Sequence, residues 1–253
     1  MKIGVQTFTI RKSQKKSIEK AYLPLIELGI KSFEVSRIDF NRKNALKLKE
    51  LKSKYNIEIT SIQVKPKYIF GDCDNLIEFC RITDCKNIVI SMLPFSCILG
   101  KEERFYSFIG TLDQYAQKYA THGITLAYHH HNWEYITLSN GKSRMDELLE
   151  KTEKIKFVHD TYWTARSGID PVLQIQRFGK RLLGIHLRDL TFYKKGISVL
   201  PKDTYIGGGV IDFKKIFESI ESLDSPYLVI EQNTDHPYND IKKSYEYCNT
   251  VKE

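Results

Sequence analysis

Three consecutive histidines occur in the stretch LAYHHHNWEY, residues 126–135. An imidazole can bind a metal ion or transfer a proton near neutral pH. Three further residues that bind metals stand at or near the ends of short apolar runs downstream: Asp160 in IKFVHD, His186 in GIHLRD and Glu231 in VIEQ. Two imidazoles with two carboxylates suit a borderline divalent ion. Mn²⁺ is the first choice and Co²⁺, Fe²⁺ or Zn²⁺ are the alternatives, whereas Mg²⁺ and Ca²⁺ sites are built mostly from oxygen.

Regular elements must position these residues, and short apolar runs alternate with longer amphipathic segments along the whole chain. The runs predict eight strands, at 2–8, 30–36, 57–64, 87–91, 123–131, 155–160, 181–189 and 227–232. The segments between them predict eight helices, near 17–28, 41–55, 74–84, 102–121, 142–151, 170–178, 212–222 and 239–249. Such alternation predicts an α/β fold with a parallel sheet, and eight units predict a closed (β/α)8 TIM barrel. The segment 191–209, after the seventh strand, is expected to be an irregular active-site loop.

Alternation along each strand predicts which side chains face the inside of this barrel. On the fifth strand the apolar residues at 124, 126 and 128 point outward, so His129 and His131 point inward and His130 does not. The same rule predicts the following inward residues: Asp160 on the sixth strand, Gly184, His186 and Arg188 on the seventh, and Glu231 on the eighth. Leu183 is expected to face outward. Four successive strands therefore present His129, Asp160, His186 and Glu231 at one mouth of the barrel.

Length and composition are those of a single globular domain. The chain has 253 residues, of which 42% are hydrophobic and 28% charged, and single α/β barrels reach this size, so one domain over residues 1–253 is expected. Five cysteines without CxxC spacing predict reduced thiols inside a cell. The sequence contains neither a signal-peptide core nor an apolar run of membrane length, so we expect a cytoplasmic protein with no membrane partner.

The formal net charge is +8, a surplus that nucleic acids or acidic metabolites would attract. The lysines are scattered along amphipathic segments such as RKNALKLKELKSKY, residues 42–55, where they form the solvated face of a helix. This pattern predicts no nucleic-acid partner. The sequence leaves the oligomeric state open, and a homo-oligomer is compatible with it.

The segments YHHHNWEY, VHDTYWTARSGIDP, GIHLRD, IGGGVIDF and VIEQ, in this order, with IGVQTFTIR near the N-terminus, resemble the xylose isomerase-like TIM barrels of the sugar phosphate isomerase/epimerase family. The resemblance spans nearly the whole chain. It implies a divalent-metal enzyme that acts on a small sugar, sugar phosphate or keto-polyol, with ligands at the ends of strands five to eight. Matched residue by residue, the ligands are His129, Asp160, His186 and Glu231.

The first of these positions departs from the family, which usually has glutamate where this chain has His129. In the family's epimerases, two metal-bound glutamates on opposite faces of the substrate exchange a proton through a metal-stabilised enediolate. Here Glu231 is the remaining carboxylate base, and His129 would occupy the second catalytic position. Triple histidines also occur in inosose dehydratases of the superfamily, which eliminate water from a keto-cyclitol. The resemblance therefore implies an isomerase or epimerase, with an inosose dehydratase-like lyase as the alternative.

Five further residues are candidates for substrate contacts: Arg188, His131, Trp163, Glu34 and Gln6. Arg188 stands where relatives usually carry lysine and would orient Glu231 or bind a substrate oxygen, or else only pair with a neighbouring carboxylate. Trp163 would stack on a sugar ring or pack at the rim. Glu34 and Gln6 face inward at the ends of their strands, either as partners of substrate hydroxyls or as satisfied structural groups.

A glycine triplet at 207–209 invites comparison with a phosphate-binding loop, since glycine-rich turns at helix N-termini bind anions. It lacks the lysine and spacing of a P-loop, and Asp212 is expected to cap the following helix. A phosphorylated substrate is therefore left open. Glu134 is expected to lie beyond the barrel mouth rather than at the metal.

Two other functions share this barrel. Apurinic endonucleases of the superfamily have a three-metal cluster with a histidine three residues after the Asp ligand, where this chain has Trp163, and an Asp-x-His motif after strand seven. The loop after His186 contains no histidine, which disfavours that activity. The remaining alternative is a non-catalytic sugar-binding barrel.

Overall fold

The computed structural model describes residues 2–223 and 226–252. The strands are β1 (Ile3–Gln6), β2 (Ser32–Val35), β3 (Glu58–Val64), β4 (Asn87–Ile90), β5 (Thr125–His129), β6 (Lys156–Asp160), β7 (Leu182–Leu187), β8 (Asp189–Lys195), β9 (Ser198–Thr204) and β10 (Tyr227–Ile230). The helices are α1 (Arg11–Gln14), α2 (Ile18–Glu27), α3 (Arg42–Tyr55), α4 (Pro66–Gly71), α5 (Cys73–Thr83), α6 (Phe95–Leu99), α7 (Glu102–Ala120), α8 (Arg144–Lys151), α9 (Thr161–Arg166), α10 (Pro171–Phe178), α11 (Phe213–Ile220) and α12 (Pro237–Val251).

Eight strands close into a parallel barrel in the order β1-β10-β7-β6-β5-β4-β3-β2. They are the eight strands predicted from the sequence, with ends that differ by a few residues, so the predicted (β/α)8 fold is confirmed. The eight predicted helices are also present, and short helices such as α4, α6 and α9 are added in the connections. Because all eight strands run in parallel, their carboxyl ends share one mouth.

The core has two parts, one between the strands and the helices and one inside the barrel. Val89, Ala127 and Val158 form the interior cluster, against which Leu183 and Tyr227 pack. The prediction that Leu183 faces outward was wrong. The register between β6 and β7 shifts where Phe157 pairs with Leu182 but Val158 pairs with Gly184, so alternation is interrupted at Leu183.

Gly184 and Tyr227 meet inside the barrel in a close contact. A Cβ atom at Gly184 would lie 2.4 Å from Cζ of the Tyr227 ring, a separation that real Cβ atoms do not adopt. The absence of a side chain at Gly184 therefore lets the tyrosine ring fill the interior beneath the barrel mouth.

The segment after β7 differs from the irregular loop that was expected. Most of residues 191–209 belongs to an antiparallel hairpin in which Asp189 pairs with Thr204 and Lys195 with Ser198. Gly196, with φ of 60°, begins the two-residue turn, as glycine does in the type II′ turns that suit hairpins. No helix within the described ranges 2–223 and 226–252 is both long and apolar enough to cross a membrane.

Candidate metal centre

The carboxyl ends of β5, β6, β7 and β10 bring four potential ligands together at the barrel mouth. His129, Asp160, His186 and Glu231 are all buried, and each offers a nitrogen or oxygen within 4.8 Å of those of the others. His129 Nε2 lies 3.3 Å from Asp160 Oδ2, and the rings of His129 and His186 are 4.4 Å apart. The structure thus assembles the four residues that the sequence placed on the inward phase of successive strands.

Two of these side chains end in buried polar atoms that lie close together without a well-formed hydrogen bond. His186 Nδ1 and Glu231 Oε2 are 2.8 Å apart, yet within the described part of the chain neither atom has a partner at an acceptable hydrogen-bond angle. Buried polar atoms without partners are costly, and a cation held between these atoms would satisfy both. With two nitrogen and two carboxylate donors, the set fits a divalent ion such as Zn²⁺, Mn²⁺, Fe²⁺ or Co²⁺.

Glu34, at the end of β2, lies beneath His186 and binds its other nitrogen. Glu34 Oε1 is 2.7 Å from His186 Nε2, while Ser61 Oγ and the Tyr227 hydroxyl donate to Glu34 Oε2 at 2.5 and 2.6 Å. Burial alone would lower the pKa of His186, but the charge of Glu34, followed by the contacts with Glu231, raises this pKa to about 10. The carboxylate therefore fixes the orientation of the imidazole and increases its basicity.

Arg188 lies across the carboxylates of the cluster. Its Nη1 is 3.1 Å from Asp160 Oδ2 and 3.4 Å from Glu231 Oε1, and its Nη2 is 2.5 Å from Asp203 Oδ2. Burial alone would raise the pKa of Glu231, but the charge of Arg188, followed by the contacts with His186, lowers it to about 2. For Asp160 the Arg188 charge likewise overcomes burial, and the pKa lies below its ordinary value. Both carboxylates are therefore anionic at neutral pH.

Asp160 also determines where the following helix begins. Its Oδ1 accepts a hydrogen bond from the backbone N–H of Trp163 at 2.9 Å and so caps α9. This cap leaves Oδ2 to face His129 and Arg188, and it fixes Trp163 at the rim of the site.

A cavity of about 750 Å³ opens above the cluster. His129, Glu231, Arg188, His131 and Trp163 contribute to one side of its lining. Among the described residues, His131 Nδ1 and Trp163 Nε1 are buried without a hydrogen-bond partner. The centres of their rings are 5.0 Å apart, so two aromatic rings that each carry an unpaired nitrogen lie side by side at the cavity.

The opposite side of the cavity is formed by the connections after β1, β2 and β3, and several basic residues lie there. Its charged lining residues are Lys15, Lys16, Arg37, Lys47 and Lys65, with Asp39 and Asp72. Arg37 has a positive φ of 58°, which is uncommon for a residue with a side chain. With a volume of about 750 Å³ and these charged side chains in its lining, the cavity is large enough and polar enough for a small polyhydroxylated molecule.

Two of the residues predicted as substrate contacts, Glu34 and Gln6, are not among the residues that line the cavity. Glu34 is fully buried under His186, as described above. Gln6 is also fully buried, and its side-chain oxygen accepts from the backbone N–H of Phe8 at 2.5 Å and from Ser36 Oγ at 2.9 Å. Its amide donates to Gln63 Oε1 at 2.8 Å. Both side chains have protein partners, which corresponds to the structural alternative that the sequence left open.

The glycine triplet is occupied by a carboxylate of the protein itself. Asp189 Oδ2 accepts from the backbone N–H groups of Gly207 and Gly209 at 3.0 and 2.9 Å, and Asp189 Oδ1 accepts from Leu190 and Ile211 at 2.7 and 3.1 Å. The amides that would bind a phosphate are therefore already paired. Asp212 caps α11 as expected, because its side chain accepts from Lys215 N.

Glu134 lies outside the cluster, as expected. It is fully buried, and it accepts hydrogen bonds from the Tyr128 hydroxyl and, at 2.8 Å, from the backbone N–H of His131. Burial raises its pKa above the ordinary value. Glu134 therefore supports the segment that carries His131 and takes no part in the ligand set.

Sequence reasoning missed three residues of this arrangement: Ser61, Tyr227 and Asp203. Tyr227 is on the inward phase of a predicted strand, so the alternation rule would have identified it. Ser61 follows a register shift at which Phe33 pairs with Ile59 but Glu34 pairs with Ser61, so alternation counted from Ile57 and Ile59 does not place it inward. Asp203 was missed because its segment was expected to be irregular. Recognition of the strand pairing around Gly196 would have placed Asp203 near Arg188.

Comparisons with known proteins agree with the fold. Residues 24–250 match the family model described as xylose isomerase-like TIM barrel. An inosose dehydratase from Mesomycoplasma hyopneumoniae (strain J) is 25% identical over 275 residues, which cover 93% of this chain and 89% of that protein.

Two solved structures show the same fold at 16% identity. A sugar phosphate isomerase/epimerase from Parabacteroides distasonis superposes with a TM-score of 0.78 over 100% of this chain and 95% of that one. The IolI protein, crystallised with a zinc atom, superposes with a TM-score of 0.72 over 100% of this chain and 98% of its own.

Proposed function

The chain belongs to the xylose isomerase-like TIM barrel family, and from this premise we propose that it is a divalent-metal enzyme that removes a proton next to a carbonyl group of a small keto-polyol or sugar. His129, Asp160, His186 and Glu231 are the proposed ligands. A bound divalent ion would polarise the substrate carbonyl and lower the pKa of the neighbouring C–H bond. The convergence of four buried donors on one centre is the observation that supports the metal.

Glu231 is the proposed base, because it is the carboxylate of the ligand set that also lines the cavity. Arg188 holds Glu231 anionic and so ready to accept the proton. His131 and Trp163 each have an unpaired ring nitrogen, and both are proposed to donate hydrogen bonds to substrate oxygens. Arg188 is proposed to stabilise the negative charge that develops on those oxygens during the reaction.

The residue opposite Glu231 decides which product we favour. Inversion of a carbon centre needs a base on each face of the substrate, and this chain has an imidazole, His129, at the second position. Elimination of water needs one base. The C–H electron pair forms the new double bond while the β-hydroxyl leaves with its C–O electrons. The leaving hydroxide becomes water by taking up the proton that Glu231 removed, so one group serves both transfers. We therefore propose a dehydratase of keto-polyols, a reaction class that the name of the M. hyopneumoniae relative also describes.

Isomerisation or epimerisation of a sugar is the second candidate, because the same first proton transfer serves it and the P. distasonis structure carries that description. The product separates the candidates. Metal-reloaded protein is incubated in D₂O with a panel of keto-cyclitols and ketoses, and the products are identified by NMR. Elimination gives a dehydrated diketone or enone, isomerisation an aldose–ketose pair, and epimerisation an inverted centre.

Glu231→Gln should reduce the rate of deuterium incorporation by about two to four orders of magnitude, the usual contribution of a positioned base. Glu147→Gln is the matched control, because Glu147 is also a buried carboxylate but lies on α8, outside the metal cluster. If metal-loaded Glu231→Gln exchanges as fast as the wild type, Glu231 is not the base.

A further inference from the structure

The hairpin β8–β9 returns an acidic residue to the metal cluster. Arg188 immediately precedes β8, and Asp203 lies near the end of β9, so the base of the hairpin brings together two residues that are far apart along the chain. We propose that Asp203 is a positioning residue that holds the Arg188 guanidinium between Asp160 and Glu231. This inference rests on the proposed function, because its purpose is to keep those two carboxylates available to the metal.

Asp203 binds the edge of the guanidinium that faces away from the cluster. The distance from Arg188 Nη2 to Asp203 Oδ2 is 2.5 Å, and the two side chains are 6% and 9% exposed. Asp203 Oδ2 also accepts from the backbone N–H of Asn233 at 3.1 Å. Asp203 therefore ties the end of β7 to the segment that follows Glu231, and it does so in a buried setting where charged hydrogen bonds are strong.

The opposite edge of Arg188 meets the proposed ligands. Nη1 is shared between Asp160 and Glu231, while the rings of Tyr162 and Trp163 lie 4.9 and 5.5 Å from the guanidinium carbon. A guanidinium without Asp203 would keep the aromatic contacts and could move closer to the two carboxylates. It would then compete with a metal cation for the same oxygens, because both are positive charges in a buried site.

The strand register of the hairpin sets this geometry. Asp203 pairs with Leu190, two residues after Arg188. A slip of one residue would turn the Asp203 side chain to the other face of the hairpin, because successive side chains on a strand alternate. The hairpin is thus the structural reason that a residue at position 203 can reach Arg188.

The first test is a double-mutant cycle on metal affinity with Asp203→Asn, Arg188→Met and the double variant. We expect Asp203→Asn to weaken Mn²⁺ binding about tenfold in calorimetric titrations, since residues that support metal ligands typically contribute 10- to 100-fold. In the Arg188→Met background the same change should alter affinity by less than about twofold, because the residue through which Asp203 acts is gone. Asp212→Asn, an exposed helix cap on the same connection, should leave the affinity unchanged.

The second test needs no metal. In ¹⁵N NMR spectra of the metal-free protein, a guanidinium that is hydrogen-bonded on both edges gives two separate, slowly exchanging Nη signals. The signals of Arg188 are identified because they disappear in Arg188→Met. Asp203→Asn should merge these signals through faster rotation, whereas Asp212→Asn should not. A general loss of folding would instead affect the backbone spectrum of the whole barrel.

The two tests separate the positioning role from the proposed metal centre. If the wild type binds none of Mn²⁺, Zn²⁺, Co²⁺ and Fe²⁺, the proposed function fails, and the guanidinium spectra still decide whether Asp203 positions Arg188. Unchanged Arg188 signals in Asp203→Asn overturn the inference. An equal loss of Mn²⁺ affinity in both backgrounds, or no loss in either, also overturns it.

Discussion

Replacement of Glu34 by glutamine should weaken metal binding although Glu34 does not belong to the proposed ligand set. The change keeps the size of the side chain and removes its charge. Glutamine can direct its oxygen to His186 Nε2 and its amide to the hydroxyls of Ser61 and Tyr227, which can rotate to accept. The three contacts of Glu34, at 2.7, 2.5 and 2.6 Å, can therefore persist, and the loss of charge dominates the effect.

The expected loss of metal affinity is about 10- to 100-fold, or roughly 1.4–2.7 kcal/mol, as for other partners of a ligating histidine. A second effect follows from the raised pKa of His186, which moves from 6.5 to about 10. A raised pKa in the folded state stabilises the metal-free protein fully below pH 6.5, and this stabilisation disappears as the pH rises to about 10. A pKa shift of this size corresponds to roughly 5 kcal/mol of unfolding free energy. The contacts of His186 with Glu34 and Glu231 are its source. Removal of the Glu34 charge, the largest of the contributions that raise this pKa, should therefore lower the pKa of His186 and reduce this stabilisation.

Chemical denaturation in the presence of a chelator, repeated between pH 7 and 9.5, measures this effect. The wild type should lose about 1.4 kcal/mol of unfolding free energy per pH unit from the His186 proton, and Glu34→Gln should lose stability less steeply. Glu134→Gln is the matched control, because Glu134 is an equally buried carboxylate with a tyrosine partner but lies outside the cluster. If Glu34→Gln binds Mn²⁺ as tightly as the wild type and has the same pH slope, Glu34 does not position His186.

Three further predictions concern the cluster, the hairpin and the alternative activity. After reloading, Asp160→Ala should retain Mn²⁺ at least about 100-fold less well than the wild type, because the change removes a proposed ligand as well as its charge. Metal analysis measures the retention, and equal retention in both proteins would remove the basis for the metal centre. Gly209→Ala should lower the unfolding free energy by about 2–3 kcal/mol, since its Cβ would lie 2.3 Å from Leu190 O and 2.4 Å from Asp189 Oδ1, and an unchanged melting temperature would contradict the tight packing of this turn. DNA with an abasic site should not be nicked faster than by a metal-stripped control, because Trp163 stands where the endonucleases have a metal-binding histidine; rapid metal-dependent nicking would reverse the ranking of functions.

The barrel could be predicted from sequence because its signals are local and repeated. Each inner strand is a short apolar run next to an amphipathic helix, and the alternation of side chains was sufficient to place His129 and His186 on the same inner surface. The rule failed at Leu183, where a register shift between neighbouring strands interrupts alternation. Such a shift depends on the pairing of two strands, which a single strand's pattern does not contain.

The hairpin could not be predicted in the same way, because both of its faces are largely solvated. Phe192 is 52% exposed and Val199 67% exposed, so no contrast between a buried and an exposed face marks the strands. The role of Asp203 depends on the pairing of these strands across Gly196. The sequence predicted the proposed ligands, but the residues that orient them depend on contacts between distant segments.

Because Gly184 and Tyr227 are in close contact, the Tyr227 side chain both fills the interior of the barrel and supports the proposed metal site. The Tyr227 ring packs on the interior cluster while its hydroxyl reaches Glu34, so a change that moves the ring also moves the carboxylate behind His186. Selection for a new substrate therefore has little freedom in this half of the molecule. The connections that carry Arg37 and Lys65 line the cavity from the other side, and they are the place where directed evolution can alter specificity while the four proposed ligands are preserved.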